Sequence, residues 1–395
     1  MSTLKVDAIR HNSATSDAIT TAADGTCTAK LTSVGGGGLS HRNIVINGAM
    51  TVAQRGQSST SSNAFTCDRF KHWYQGADEA PTFSQHALTS SDTGPWEEGF
   101  RYSFHTLNGN QTGGAGASDY IEIDHELESQ VVANSGWNYL STSGNITLSF
   151  WVKASVSQKY SFILRTKDGT SYSYLMETPT LSANTWTKVT KTIPGNSNLT
   201  FDNDTGAGMT IVWFPFIGTT YTDAGNPTET WGAFSSTRWS TPMTSTWWTT
   251  NDATFEITGV QLEVGDTATT FEHRSYGEEL ARCQRYYYRL VCDEVGQRYA
   301  MGLQYTSSAA EHYIQFPEIM RSKPTAIETT GTASDYAVAR TSTWEVCNVV
   351  PTFQVGMVQG CMIRTNQTQA SLSTGMSVML RANTTNFFIG FSAEL

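Results

Sequence analysis

The chain has 395 residues, of which 38% are apolar, 11% aromatic and 15% charged, and 35 acidic against 25 basic residues give a net charge of −10. About 25% charged residues is usual for globular proteins, and here serine and threonine, about a quarter of the chain, fill the gap. This composition excludes a disordered chain, which lacks aromatics, and disfavours a nucleic-acid partner, which needs a basic stripe to displace counterions.

The first residues, Met1-Ser2-Thr3-Leu4-Lys5-Val6-Asp7, lack the apolar stretch of a signal peptide. The composition nevertheless suits the outside of a cell, and release by cell lysis reconciles the two. Residues 1–40 place Leu4, Val6, Ile9, Ile19 and Leu31 too sparsely for a core of their own. They end in Gly35-Gly36-Gly37-Gly38, which reads as a flexible joint. Two readings stay open: an anchor or shaft piece that orders against a partner, or a disordered tail.

From His41 onward the pattern is that of strands, in which Thr, Tyr, Phe and Trp fit the pleat. Ile146, Leu148, Phe150 and Val152 alternate with Thr147, Ser149, Trp151 and Lys153, the period of a strand with one buried face. Tyr160, Phe162 and Leu164 repeat it, and Lys167-Asp168-Gly169-Thr170 supplies a hairpin turn. Met209 to Ile217 is apolar on both faces, with Pro215 confined to an edge or a bulge. Phe255 and Ile257 take odd positions, whereas Val260, Leu262 and Val264 take even ones. The parity slips at Gly259, which predicts a β-bulge there. Short strands and turns without a long helical pattern predict an all-β sandwich over 41–274.

Ser275-Tyr276-Gly277-Glu278 matches a capping box, and so starts a helix of about two turns ending near Gln284. Beyond it, Tyr286-Tyr287-Tyr288, Tyr299–Tyr305, His312–Phe316, Trp344–Val350 and Phe387–Phe391 read as strands. A second, smaller β-sandwich is expected, so that 275–395 forms a short helix and a tip domain. No run of about 18 apolar residues occurs, so no membrane insertion is expected.

Catalytic and metal signatures are missing: no P-loop, HExxH, GxSxG or CxxC is present. Gly113–Ser118 is glycine-rich but lacks the dinucleotide spacing and reads as a loop. Asp202-Asn203-Asp204-Thr205-Gly206 begins like a calcium loop, but Trp213 stands where an EF-hand needs glutamate, so a turn is favoured. Asp119, Glu122, Asp124, Glu126 and Glu128 alternate with Ile121, Ile123 and Leu127, as on the solvent face of a strand. Paired carboxylates of a glycosidase are the alternative. The six cysteines, Cys27, Cys67, Cys283, Cys292, Cys347 and Cys361, match no zinc spacing and are expected as free, mostly buried thiols. No metal, cofactor or catalytic residue is expected.

Ten of the eleven tryptophans lie between Trp73 and Trp248. Trp231, Trp239, Trp247 and Trp248 fall in a segment dense in Thr, Ser and Gly. In a sheet Trp247 and Trp248 would face opposite ways, leaving one exposed as a platform for a sugar's C–H face. These four are the candidate carbohydrate-binding residues; the alternative is that they fill the core.

Asn47-Gly48-Ala49-Met50-Thr51-Val52-Ala53-Gln54-Arg55-Gly56 followed by Cys67-Asp68-Arg69-Phe70 resembles the opening of a β-sandwich found in many phage tail-fibre proteins. Ile146–Lys153, Ile257–Gly265 and Phe271–Tyr287 resemble later landmarks of that module, which together cover about residues 43–287. The module is similar to jelly-roll carbohydrate-binding modules, and Ser2–Ile9 is similar to segments that attach fibres to the virion. The resemblance implies a homotrimeric, receptor-binding fibre assembled in the host cytoplasm. It implies partners in other virion proteins through residues 1–40, and in a host surface glycan or outer-membrane receptor. A capsid-attached fibre, a purely structural virion component and a polysaccharide-depolymerising tailspike enzyme are its alternatives.

Overall fold

The computed structural model describes residues 6–10, 18–21, 23, 27–29, 42–340, 343–367 and 373–395. The Gly35–Gly38 run and much of the expected anchor lie outside the described residues. Within that segment, β1 (Ala8–Ile9), β2 (Ile19–Thr21) and β3 (Cys27–Ala29) pair antiparallel in this order.

Two antiparallel sheets face each other over the central region. One runs β13 (Thr187–Pro194), β10 (Asn145–Ala154), β16 (Thr254–Val264), β8 (Tyr102–Leu107), β7 (Thr82–Ala87) and β4 (Ser58–Ser59). The other runs β15 (Trp231–Ala233), β12 (Tyr172–Glu177), β11 (Ser161–Thr166), β14 (Ala207–Ile217), β9 (Tyr120–Glu128), β6 (Phe70–Gln75) and β5 (Ala64–Phe65). The chain crosses repeatedly between the sheets, giving the sandwich that the alternation predicts, in the jelly-roll form that the resemblance implies. Phe83, Phe104, Leu148 and Phe150 from one sheet meet Phe70, Ile123, Phe162 and Trp213 from the other, all buried. Each such side chain contributes about 1.5–3 kcal/mol through burial.

Three local predictions are met. β10 and β16 register as Ser149↔Gln261 and then Trp151↔Thr258, so β16 carries one extra residue at Gly259, whose φ is 64°. A glycine in the left-handed region absorbs that residue and puts Phe255, Ile257, Val260 and Leu262 all into the core. Pro215 lies in the register shift between Trp213 and Phe216, where its missing N–H costs no ladder bond. Gly169, with φ 55°, turns the β11–β12 hairpin.

Helix α3 (Tyr276–Gln284) starts where the capping box places it, the Ser275 hydroxyl accepting from the Glu278 N–H at 3.3 Å. Beyond it, the expected second sandwich is replaced by a closed barrel. β18 (Arg298–Gln304), β19 (Ala309–Gln315), β23 (Gly360–Gln367), β22 (Trp344–Met357), β21 (Tyr336–Ala339) and β24 (Ser377–Ala382) follow one another round it. β24 pairs back onto β18, which removes both edges. A three-stranded sheet of β17 (Tyr287–Val291), β25 (Phe388–Ser392) and β20 (Glu328–Thr329) packs into the same core. Alternation marks strands but not which ones pair, so a barrel and a sandwich look alike in the sequence.

Two buried carboxylates join the parts. Glu128, at the end of β9, accepts from Arg285 Nε and Nη2, each at 2.8 Å, and from the Tyr286 hydroxyl at 2.5 Å. Glu394 accepts from Arg55 at 3.2 Å and from the buried Arg69, whose guanidinium lies 3.6 Å from the centre of the Tyr286 ring. Cys67, Cys283, Cys292, Cys347 and Cys361 are free thiols, and only Cys292 is not buried.

Candidate functional site

The outer face of the seven-stranded sheet carries a row of polar and aromatic side chains. It follows from the period of β9: Ile121, Ile123, His125 and Leu127 point into the core, so Glu122, Asp124 and Glu126 project outward. β6 has the same phase, burying Phe70 and His72 and turning Lys71 and Trp73 outward. Register aligns these strands in rows. Lys71, Asp124 and Val212 form one row, Trp73 stands opposite Glu122, and Glu126, Thr210 and Arg165 form another. The segment after β14 folds over part of this face, where Trp239 and Met243 pack on Phe214, Ile217 and Val212. Trp239 thereby stands at the border of the uncovered part.

A depression of about 180 Å³ opens there, lined by Trp73, Glu122, Asp124, Glu126, Arg165 and Trp239 among others. Beside it, a smaller one of about 120 Å³ between Tyr120, Tyr221 and Trp239 shares Glu122. Phe234 meets Trp239 edge-on at 4.8 Å, and the Arg165 guanidinium lies 3.7 Å from the Phe234 ring and 4.9 Å from the Trp239 ring. Lys71 Nζ sits 4.5 Å above Trp73. Lys167 pairs with Glu126 at 3.3 Å.

The carboxylates are outward but poorly solvated. Burial pushes Glu122 up to about 7, against the pull of Lys167, Lys71 and Arg165. Asp124 is raised well above the usual carboxylate range by burial, and further by Glu122 and Glu126. Its Oδ1 is buried without a hydrogen-bond partner among the described residues. Burial thus disfavours the ionised forms of Glu122 and Asp124, and a carboxyl that keeps its proton can donate a hydrogen bond to a hydroxylated ligand as well as accept one.

The shift at Glu122 has a measurable consequence. Its folded pKa lies above the ordinary 4.5, so the folded state binds more protons between pH 4.5 and about 7. The associated stability is fully present below 4.5 and is lost as pH rises through 7. Glu122→Gln should remove that slope, stabilising the protein by roughly 1–3 kcal/mol at about pH 8 and little at about pH 4. Urea melts of both proteins at the two pH values check it.

Of the four tryptophans selected from the sequence, only Trp239 lies on this face. Trp247 and Trp248 are both fully buried, because they sit on a short helix, α2 (Thr246–Thr249), and not on a strand. Their indole N–H groups donate to the Thr254 and Gly114 carbonyls at 2.9 and 2.7 Å. Asn108 Nδ2 holds the turn by donating to the Trp248 carbonyl at 2.7 Å. Trp231 is buried against Tyr174 and donates to the Pro194 carbonyl at 2.6 Å. None of these three rings can stack on a sugar, so that assignment is withdrawn for Trp231, Trp247 and Trp248. Trp73, in phase with the acidic ladder and not among those four, also lies on this face. The 202–206 segment is a turn, with the Gly206 N–H donating to Asp204 at 2.8 Å. No cluster of metal-binding side chains occurs among the described residues.

No protein-family description and no curated protein sequence matches the chain. Several solved structures match part of it. The enzymatically active domain of tailspike protein 4 of bacteriophage CBA120 aligns at 11% identity and TM-score 0.29, over 56% of this chain and only 21% of that one. The N-terminal cellulose-binding domain of Cellulomonas fimi β-1,4-glucanase C aligns at 10% and 0.27, over 55% and 100%. The family 11 carbohydrate-binding module of a Clostridium thermocellum cellulosomal cellulase aligns at 11% and 0.24, over 55% and 98%. Similarity at this level transfers neither ligand nor activity to the chain.

Proposed function

We propose that this chain is a non-catalytic, glycan-binding component of a phage tail fibre, and that it binds on the outer face of the seven-stranded sheet. One observation carries the binding assignment: Trp73 and Trp239 flank the Glu122–Asp124–Glu126 ladder on an open sheet face. Aromatic rings take the C–H faces of a sugar while the carboxyl groups bond its hydroxyls. The tail-fibre assignment is supported by the residues of the 43–287 resemblance, and places the protein in the virion, trimeric and attached to other virion proteins through its N-terminal region.

Calorimetric titration with host surface polysaccharide tests the binding site. Trp73→Ala and Trp239→Ala should each weaken binding by about tenfold or more, which is about 1.4 kcal/mol. Blank glycan arrays together with undiminished host adsorption by both variants would remove glycan recognition. The depolymerase reading is favoured by one feature, the Glu122 carboxyl held near neutrality beside further acids, as in a general acid. Release of reducing ends from host polysaccharide, lost in Glu122→Gln, would establish that reading instead.

A further inference from the structure

A cavity of about 500 Å³ lies at the rim of the sandwich, between residues 42–46, the short helix α1 (Ser129–Ala133) that follows β9, the end of β16 and helix α3. It shares no lining residue with the two depressions of the outer sheet face. Its volume falls in the range of roughly 300–1,000 Å³ usual for small-molecule sites. Arg42, Arg282 and Arg285 line it, and among the described residues no carboxylate does. In a chain of net charge −10, two segments distant in sequence thus bring three arginines to one cavity. We propose that this cavity is a second saccharide site, separate from the sheet face, and that it selects sugars bearing a carboxylate or phosphate group.

The donors of the wall select the anion. The carboxylates that pair with the arginines stand outside the lining: Glu263, 3.7 Å from Arg42, and Glu128, on Arg285, are sealed from solvent, and Glu278 meets Arg282 one turn back along α3. A guanidinium has five N–H donors, so one paired with a carboxylate can still donate to a second. Arg285 uses Nε and Nη2 on Glu128 and keeps the donors of Nη1, with its side chain 32% exposed. Carbonyls that could compete for them are occupied. The Gln130 carbonyl accepts from the Asn134 N–H and Nδ2, and the Val132 carbonyl from the Ser135 N–H and hydroxyl. The guanidinium fork matches the oxygens of a carboxylate or a phosphate. Beside the arginines, Ile44, Ile46, Val131 and Val264 form an apolar wall that an inorganic ion would leave bare and a sugar ring would cover with its C–H face. A nucleotide base is a poorer occupant, because Tyr286, the aromatic side chain of the lining, is 2% exposed and already carries the Arg69 guanidinium on its ring. The saccharide part of the proposal rests on the glycan reading, whereas the anion part does not.

Thermal melts of the full chain at low salt test it, since a ligand that binds the folded state raises the melting temperature. Glucuronic acid and glucose 6-phosphate are the acidic probes, with glucose and inorganic phosphate as references. At least one acidic sugar should bind more tightly than either reference, and the one that does identifies the acid group. Arg282→Glu should weaken that binding by about tenfold or more and leave any effect of glucose unchanged. Asn134→Asp, which adds a negative charge at the cavity and keeps all three arginines, repeats the test should the first variant fold poorly. Lys159→Glu makes the same change of net charge at a residue outside the lining and should bind as the wild type does. The effect of Arg282→Glu should be the same in a Trp73→Ala background, whether or not the sheet face binds glycan, so the two readings fail separately. Acidic sugars that bind no better than glucose, or binding retained in both cavity variants, would overturn the proposal. Inorganic phosphate that binds as tightly as glucose 6-phosphate, with glucuronic acid inert, would reduce the cavity to an anion site and overturn its saccharide part.

Discussion

Trp247→Ala is expected to lower the unfolding free energy by about 3–5 kcal/mol, the usual cost of deleting a fully buried large aromatic side chain. The ring is inaccessible to solvent and lies in the sandwich core, so its removal leaves a cavity that the flanking sheets cannot close. The Thr254 carbonyl that accepts its indole N–H also accepts from the Ser155 N–H at 3.0 Å, so the loss is mainly one of packing. Urea denaturation followed by circular dichroism measures it. Trp239→Ala, at the border of the outer face, should by contrast cost under about 1.5 kcal/mol, in keeping with a partly solvated ring. A Trp247→Ala protein of unchanged stability that had lost ligand binding would return Trp247 to the binding surface.

Glu128→Ala should cost about 1–3 kcal/mol, because it leaves the buried Tyr286 hydroxyl without its acceptor, while Arg285, about one-third exposed, can turn to water. The variant leaves the Arg285 guanidinium without its two-point acceptor and the Tyr286 hydroxyl without its bond at 2.5 Å. Burial alone would raise the Glu128 pKa, but the hydrogen bonds from Arg285 and Tyr286 outweigh it and the net direction is downward. A depressed carboxylate stabilises the fold above its unfolded value of about 4.5 and loses that contribution as pH falls through its folded value. The wild type should therefore lose stability on acidification more steeply than Glu128→Gln. Thermal melts between about pH 3 and pH 7 separate the two.

Most of the sandwich was legible because its signals are local. The bulge at Gly259, the turn at Gly169 and the Ser275 cap each depend on a few neighbouring residues, and the structure has all three. The barrel was not legible, because closure is decided by β18 pairing with β24, strands separated by more than seventy residues. The candidate site is legible only in part, for a related reason. The period of a strand would turn one of Trp247 and Trp248 outward, whereas one turn of helix carries both rings inward. The alternation of Trp73 with Phe70 and His72, by contrast, sets its side of the sheet from local sequence alone. The alternation of the acidic ladder sets its outward direction, but Arg165, Lys167 and Trp239, which line the same depression, arrive from far along the chain.

The contact between Arg69 and Glu394 has a consequence for biosynthesis. The two residues are separated by 325 positions. At about 5–20 residues per second, the ribosome needs on the order of tens of seconds to make the second after the first. During that interval the strands around Arg69 have been made, while the carboxylate that neutralises its buried guanidinium has not. The nascent sandwich is therefore expected to remain loosely closed near Arg69 and to lock only after Glu394 has left the exit tunnel. Chains stalled short of that point should be more open to proteolysis there than the released protein.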